Sequence, residues 1–514
     1  MTAHPGRTPP QTGRRLRAIC LTVCATALSA CTTVGPNFKA PPPPPSGTGY
    51  VTAAERLPSN AVVGMTAPED RWWTEFGSPS LNQTVESAVA GGPTLEAARA
   101  RLIAAREQVA VVAGGLYPQV SVSGDVSRRK ETADVVGLKP STVPLPPNFN
   151  LYEVGASASY LLDLFGGARR AVEAQHALAD SRRYELDAAA TILAGNTAIR
   201  AIQIAGLRAQ LAAVEQVLDA DRQTLDLVRR ERSAGEVSDR DVAAAAAQLA
   251  ADETQQPPLE QDLSVARHGL AVLVGTSPGA LTVSDFDLSE FHLPGRLPVS
   301  VPSELVHRRP DIQAAEARLH AASAQIGVAT AKLYPQISLS AGFTASSLNG
   351  SGLFSPGDSA WSLAGSLLQP VFDGGARRAE RREAIAEFQA TTADYRQTVL
   401  LAFAQVGDSL TALDHDADLL AAQKRALDLA SESLRLERIN YATGAAGVLT
   451  VLDAQRQLER ASLGYAQVQG QLYLDTVQLI VAMGGGKWTG SAEAPQERAP
   501  VAEGQLDRRT GAGA

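Results

Sequence analysis

Two short words of the sequence occur twice, in the same order. Leu116-Tyr117-Pro118-Gln119 returns as Leu333-Tyr334-Pro335-Gln336, an offset of 333 − 116 = 217. Gly166-Gly167-Ala168-Arg169-Arg170 returns as Gly374-Gly375-Ala376-Arg377-Arg378, an offset of 374 − 166 = 208. The difference, 217 − 208 = 9, places nine extra residues between the two words of the first copy. Around them both copies run in one order: helix pattern, alternating segment, loop, alternating segment, very long helix pattern. A period this long duplicates one architecture and is not a solenoid unit. An α+β fold with an internal tandem repeat is expected, residues 80–285 and 303–486, joined by 286–302.

The alternating segments are the strand candidates. Val120, Val122 and Val126 alternate with Ser121, Ser123 and Asp125, and Tyr152, Val154, Ala156, Ala158 and Tyr160 with Glu153, Gly155, Ser157 and Ser159. In the second copy Ile337, Leu339, Ala341 and Phe343 alternate with Ser338, Ser340 and Gly342, and Trp361, Leu363 and Leu367 with Ser362, Ala364 and Ser366. Period two gives one apolar and one polar face. About ten residues is the length of a tilted strand crossing a bilayer. Soluble hairpins packed on a core are the alternative. Against that reading, the polar face is mostly Ser and Gly, and aromatics fall at several strand ends, where a membrane girdle would hold them. The loops between the strands, 128–150 and 347–359, have exposed-loop composition.

Residues 168–234 and 377–443 contain no proline and are rich in Ala, Leu, Arg, Glu and Gln. A helix of that length would reach about 100 Å and needs side-by-side packing to persist. Each run meets a tip glycine, Gly235 or Gly444, which reads as a C-cap and turn. Returning helices are expected over 238–275, broken at Pro257-Pro258, and over 449–483. Each copy therefore ends in a long helical hairpin. Residues 46–79 read as irregular, and His307 reads as lying at a helix start.

The N-terminus reads as a targeting segment. Arg14, Arg15 and Arg17 precede the short apolar run 18–27, and Leu28-Ser29-Ala30-Cys31 fits a lipobox. Cleavage would leave Cys31 as the lipid-bearing residue, with 1–30 removed. A covalent diacylglycerol and N-acyl lipid on Cys31 would be the one attached group, with no other cofactor. The plain n-region is favoured over a twin-arginine signal. Pro41 to Pro45 then form a stiff spacer within the segment 31–79. No run of 18 apolar residues predicts a spanning helix. The net charge of −8 lacks the basic footprint of a nucleic-acid binder. Residues 487–514 read as a loose tail.

Four strands cannot close a barrel, and lipid does not tolerate open sheet edges. The strands must pair with those of other copies: a dimer gives eight and a trimer twelve. The helical hairpins would continue the same ring as a tube beyond the membrane.

The chain resembles the TolC/OprM-type outer membrane factors, in particular their NodT-type efflux lipoproteins. The words that carry the resemblance are Cys31 with 34–38 (VGPNF), 72–76 (WWTEF), 307–312 (HRRPDI), Leu333-Tyr334-Pro335-Gln336, Phe372-Asp373-Gly374-Gly375 and 451–456 (VLDAQR). They run from about residue 31 to 486. The resemblance implies a homotrimer with a twelve-stranded transmembrane β-barrel, four strands per chain. It further implies a long periplasmic α-helical barrel, an equatorial region, and location in the outer membrane. The implied partners are a periplasmic membrane-fusion adaptor, an inner-membrane RND-type pump and outer-membrane lipid. It places a periplasmic gate at Leu449, Asp453, Arg456 and Tyr441, and adaptor-docking hairpin tips at Gly235, Glu236, Gly444 and Ala445. Thr450 stands where some relatives carry a second acidic residue, which shifts weight from charge to Leu449. Asp453 and Arg456 also read as a plain i,i+3 surface pair.

No enzyme is read from the sequence. Gly407-Asp408-Ser409-Leu410 spells a hydrolase word, but it lies mid-helix, without the strand-to-turn setting a nucleophile needs. The expected function is the exit duct of a tripartite efflux pump for drugs or other small toxic compounds. The alternatives are type I protein secretion, or a lipid-anchored coiled-coil scaffold without a pore.

Overall fold

The computed structural model describes residues 33–42, 49–52, 54–64, 70–130, 148–282, 285–355 and 357–486. Cys31, the segment 1–30, most of the 128–150 loop and the tail 487–514 lie outside them. The order of elements is β1 (Ala61–Val63), α1 (Pro79–Gly91), α2 (Pro93–Gly114), β2 (Gln119–Arg129), β3 (Phe149–Leu162), α3 (Gly167–Ala234), α4 (Asp239–Glu253), α5 (Gln256–Val274), β4 (Leu297–Val299), α6 (Pro302–Arg308), α7 (Pro310–Ala331), β5 (Gln336–Ser347), β6 (Ser359–Leu368), α8 (Ala376–Ala442) and α9 (Val448–Ala482). None of the described helices is long and apolar enough to cross a membrane. The chain divides into two compact units, with one boundary after Pro42 and four inside α2, α3, α7 and α8.

The first unit comprises residues 1–42, 100–183 and 314–398. Its sheet has the order β2-β3-β5-β6, antiparallel throughout. The register gathers every apolar alternate onto one face. Val122 lies opposite Ala156, Ala156 opposite Phe343, and Phe343 opposite Trp361. The other face carries Ser121, Ser157, Gly342 and Ser362 in one row, with Ser121 and Ser157 hydroxyls 2.8 Å apart. Residues 33–38 pack on the helices of this unit. The buried Arg170 donates to Val34 O at 3.2 Å and to Asn37 Oδ1 at 2.7 Å, and Phe38 stacks on His320.

The second unit comprises residues 43–99, 184–313 and 399–514. Residues 46–79 read as irregular from sequence, yet Trp72–Phe76 form a 3-10 turn. Trp72, Trp73 and Phe76 are buried there. Burying an aromatic of this size contributes about 1.5–3 kcal/mol, enough to order a segment with no periodicity of its own. β1 pairs with β4 in parallel, and Leu297 and Val299 lie in a core with Leu305, Leu410, Leu479 and Met483. Small residues let helices approach closely in this unit: a Cβ at Gly195 would meet Val481 Cγ2 at 2.5 Å.

Three local readings are corrected. The break in the first returning helix falls at Thr254-Gln255, and Pro257 sits in the first turn of α5. Proline is tolerated there because the first-turn N–H groups have no helical partner. The helix pattern that opens the second copy is two helices, α6 and α7, split where Arg309 turns extended before Pro310. His307 consequently lies in the last turn of a helix, not at a start.

Candidate functional site

The first candidate surface is the sheet. Its apolar face is uncovered: Val122 is 77% exposed, Leu363 75% and Trp361 80%. β2 and β6 are the two outer strands, so each leaves one row of backbone groups unpaired. A soluble protein covers or charges such edges and buries such a face. Here the exposed face carries no charge along the ladder from Val120 to Leu367, whereas the opposite face is polar. One side of the sheet is apolar and the other polar, the two-sided composition found in strands of membrane barrels.

The second candidate surface is the pair of hairpin tips. Both tips use one cap. At the end of α3, the Gly235 N–H donates to Arg232 O at 3.0 Å and the Glu236 N–H to Glu231 O at 2.9 Å. At the end of α8, Gly444 donates to Tyr441 O at 2.9 Å and Ala445 to Asn440 O at 2.8 Å. This Schellman pattern needs a left-handed residue, and Gly235 and Gly444 supply it with φ of 85° and 73°. The first tip is also clasped by Arg232, whose guanidinium donates twice to Asp239 at 2.6 and 3.0 Å and holds that carboxyl below its usual range. Ser238 donates to Asp241 from both its backbone N–H and its hydroxyl, which lowers the Asp241 carboxyl likewise.

Leu449, Asp453 and Arg456 share one exposed stripe of α9, because 449, 453 and 456 are four and three apart. The opposite side of α9, with Val448, Val451, Leu452 and Gln455, is buried. Arg456 donates to Asp453 Oδ1 at 3.3 Å, and Gln457 to Asp453 Oδ2 at 2.9 Å. The i,i+3 pair therefore forms within one chain. Tyr441 does not share the stripe. It is half-buried, packs against Leu434 and Val451 and against Val228 and Leu452, and donates its hydroxyl to Glu231 of the other hairpin. Burial and that carboxylate both raise its phenol above the usual range. Tyr441 fastens the two hairpins to each other.

Sequence reasoning missed a set of buried carboxylates between the hairpin helices. Asp221 of α3 is 2% exposed, and no donor reaches either of its oxygens. Asp252 of α4 and Glu459 of α9 face it, and burial, reinforced by Asp252, pushes Asp221 up to about 8. Gln248 donates to Asp252 at 2.7 Å, and Gln255 donates to Glu459. Higher on the second hairpin, Asp416 of α8 faces Asp475 of α9 and is pushed up to about 7 by burial and that neighbour. No spacing rule marks these residues, since they meet only across helices. Ser409 of the hydrolase word donates to Gln405 O within α8, as an ordinary helical hydroxyl does.

The outer membrane efflux protein family matches the chain over residues 84–276 and 301–485. The chain belongs to that family. Nodulation protein T of Rhizobium leguminosarum bv. viciae is 30% identical over 479 residues, which cover 92% of this chain and 95% of that one. The pyoverdine export outer membrane protein OpmQ of Pseudomonas putida is 31% identical, over 91% of this chain and 97% of its own. The structure of the outer-membrane channel OprN superposes with a TM-score of 0.80 at 31% identity, covering 89% of this chain and 100% of that one. This efflux protein is thus an outer-membrane protein.

Proposed function

We propose that three copies of the chain close into a twelve-stranded barrel, β6 of each pairing with β2 of the next, and that the barrel is the exit duct of an efflux pump. The uncovered apolar sheet with two open edges carries this reading. Closure removes both edges, the only state lipid tolerates. The long helices α3, α4, α8 and α9 extend the wall into the periplasm as an α-helical barrel. Cys31 carries the diacylglycerol and N-acyl lipid. The tips at Gly235, Glu236, Gly444 and Ala445 meet a periplasmic adaptor, which links the duct to an inner-membrane RND-type pump. The stripe of Leu449, Asp453 and Arg456 turns to the threefold axis and narrows the passage. There three leucines form an apolar ring and three aspartates a cation-attracting ring. The cargo is a drug or other small toxic compound, selected upstream by the pump.

The test is reconstitution. Full-length protein extracted as trimers and added to planar bilayers is expected to conduct in discrete steps, and deletion of its gene is expected to raise sensitivity to toxic compounds. Trimers that insert and never conduct would overturn the duct, and a chain that stays monomeric in the outer membrane would overturn the barrel.

A further inference from the structure

We infer that Phe372 of one copy stacks on Tyr117 of a second copy of this chain, an aromatic clasp whose intrachain twin is already formed. The inference deepens the ring reading and rests on it. Inside one chain, the junction from the first repeat to the second is made by β3 and β5. Just past β3, Phe165 stacks on Tyr334, which lies just ahead of β5, with ring centroids 4.6 Å apart and planes 18° apart. Beside them the two segments pack closely: a Cβ on Gly167 would meet Ala331 Cβ at 2.9 Å.

The repeat supplies both halves of this junction a second time, unjoined. Tyr117 corresponds to Tyr334 in the repeated Leu-Tyr-Pro-Gln word, and stands just ahead of the edge strand β2. Phe372 precedes Gly374-Gly375 as Phe165 precedes Gly166-Gly167, with one residue, Asp373, interposed, and stands just past the other edge strand, β6. Both rings are bare, Phe372 at 91% exposed and Tyr117 at 67%. The small residues around them are bare too. A Cβ on Gly114, the counterpart of Ala331 at offset 217, would meet nothing within 4 Å, nor would one on Gly375, the counterpart of Gly167 at offset 208. Going round a closed ring, first and second repeats alternate, so the junction between chains has the same partners in the same order as the junction within a chain. A second copy is the occupant that supplies a Tyr117 to each Phe372 and a backbone free of Cβ atoms to each Gly375.

The experiment uses full-length protein in its outer membrane, with Tyr117→Cys and Phe372→Cys in one chain and the short cross-linker ortho-phenylenedimaleimide as probe. Covalent species of two and three chains are expected on a denaturing gel, at least tenfold above either single variant. Phe165→Cys with Tyr334→Cys is the control, and is expected to react without raising the number of chains per species. If the double variant assembles poorly, the two substitutions are placed in separate, co-expressed chains, and a covalent dimer is expected from the mixed trimers. Trimers on a mild gel that give no covalent species while the control reacts would overturn the clasp and leave the ring standing. Failure of the unsubstituted chain to form trimers would overturn the ring and the clasp with it.

Discussion

Leu363→Arg tests the membrane face where the structure is least ambiguous about direction. Leu363 pairs with Ala341 near the middle of the ten-residue strand β6, on the exposed apolar face. An arginine facing lipid at the midplane costs about 2–4 kcal/mol per chain. Threefold symmetry repeats the cost, for about 6–12 kcal/mol per trimer if the copies act independently. Even the lower figure is a factor of about 10⁴ in the assembly equilibrium. Ser362, one residue earlier, lies opposite Gly342 on the polar face and is the matched control. Its arginine variant should cost near nothing, because the side chain enters water. The assay is the yield of heat-resistant trimers in isolated outer membranes. Loss of Leu363→Arg trimers is expected, with Ser362→Arg within about twofold of the parent. Equal yields would refute the reasoning, since they would mean that the apolar face does not meet lipid.

Four further outcomes are expected. Asp221 is raised by burial, so the folded hairpin binds a proton that the unfolded chain releases near the ordinary aspartate value of 3.8. The contribution of Asp221 to stability is then full at low pH and is lost as pH rises from about 4 towards 8; Asp221→Asn should remove this loss, measured by amide exchange of α3 and α4 between pH 5 and 8. Leu449→Ala should raise single-channel conductance, and Asp453→Ala should weaken cation preference and divalent-cation block; parent-like currents from both would return Asp453 and Arg456 to a plain surface pair. Tyr441→Phe removes the hydroxyl that reaches Glu231 and should increase open probability in bilayer recordings, with trimer yield unchanged. Cys31→Ser should abolish palmitate labelling while trimers persist, because the proposed barrel would hold the membrane by itself.

The elements legible in the sequence were those with one dominant period. The strands around Val122 and Phe343 alternate strictly, and α3 and α8 run 68 and 67 residues without proline. Their ends were legible because glycine at 235 and 444 has a backbone reason to be there. Segments organised by distant partners were not. The three-residue ladder of β1 and β4 has no period to read, and Trp72–Phe76 are ordered by what they are buried against. The site divides in the same way. The resemblance picked out Leu449, Asp453 and Arg456, and their spacing of four and three on one helix put them on one face. Tyr441 meets Glu231 from 210 positions away, and Asp221 meets Glu459 across helices, so local pattern said nothing of either.

The open edges of β2 and β6 also bear on how the protein is made. A single copy has no stable resting place in a bilayer, because its outer strands would leave backbone groups without water or partner. In the proposed barrel, insertion would be tied to encounter between chains, and its rate should climb more steeply than the first power of their number. A newly exported chain would then wait at the membrane surface until others arrive. A lipid on Cys31 would hold it there, turning a three-dimensional search into a search in a plane.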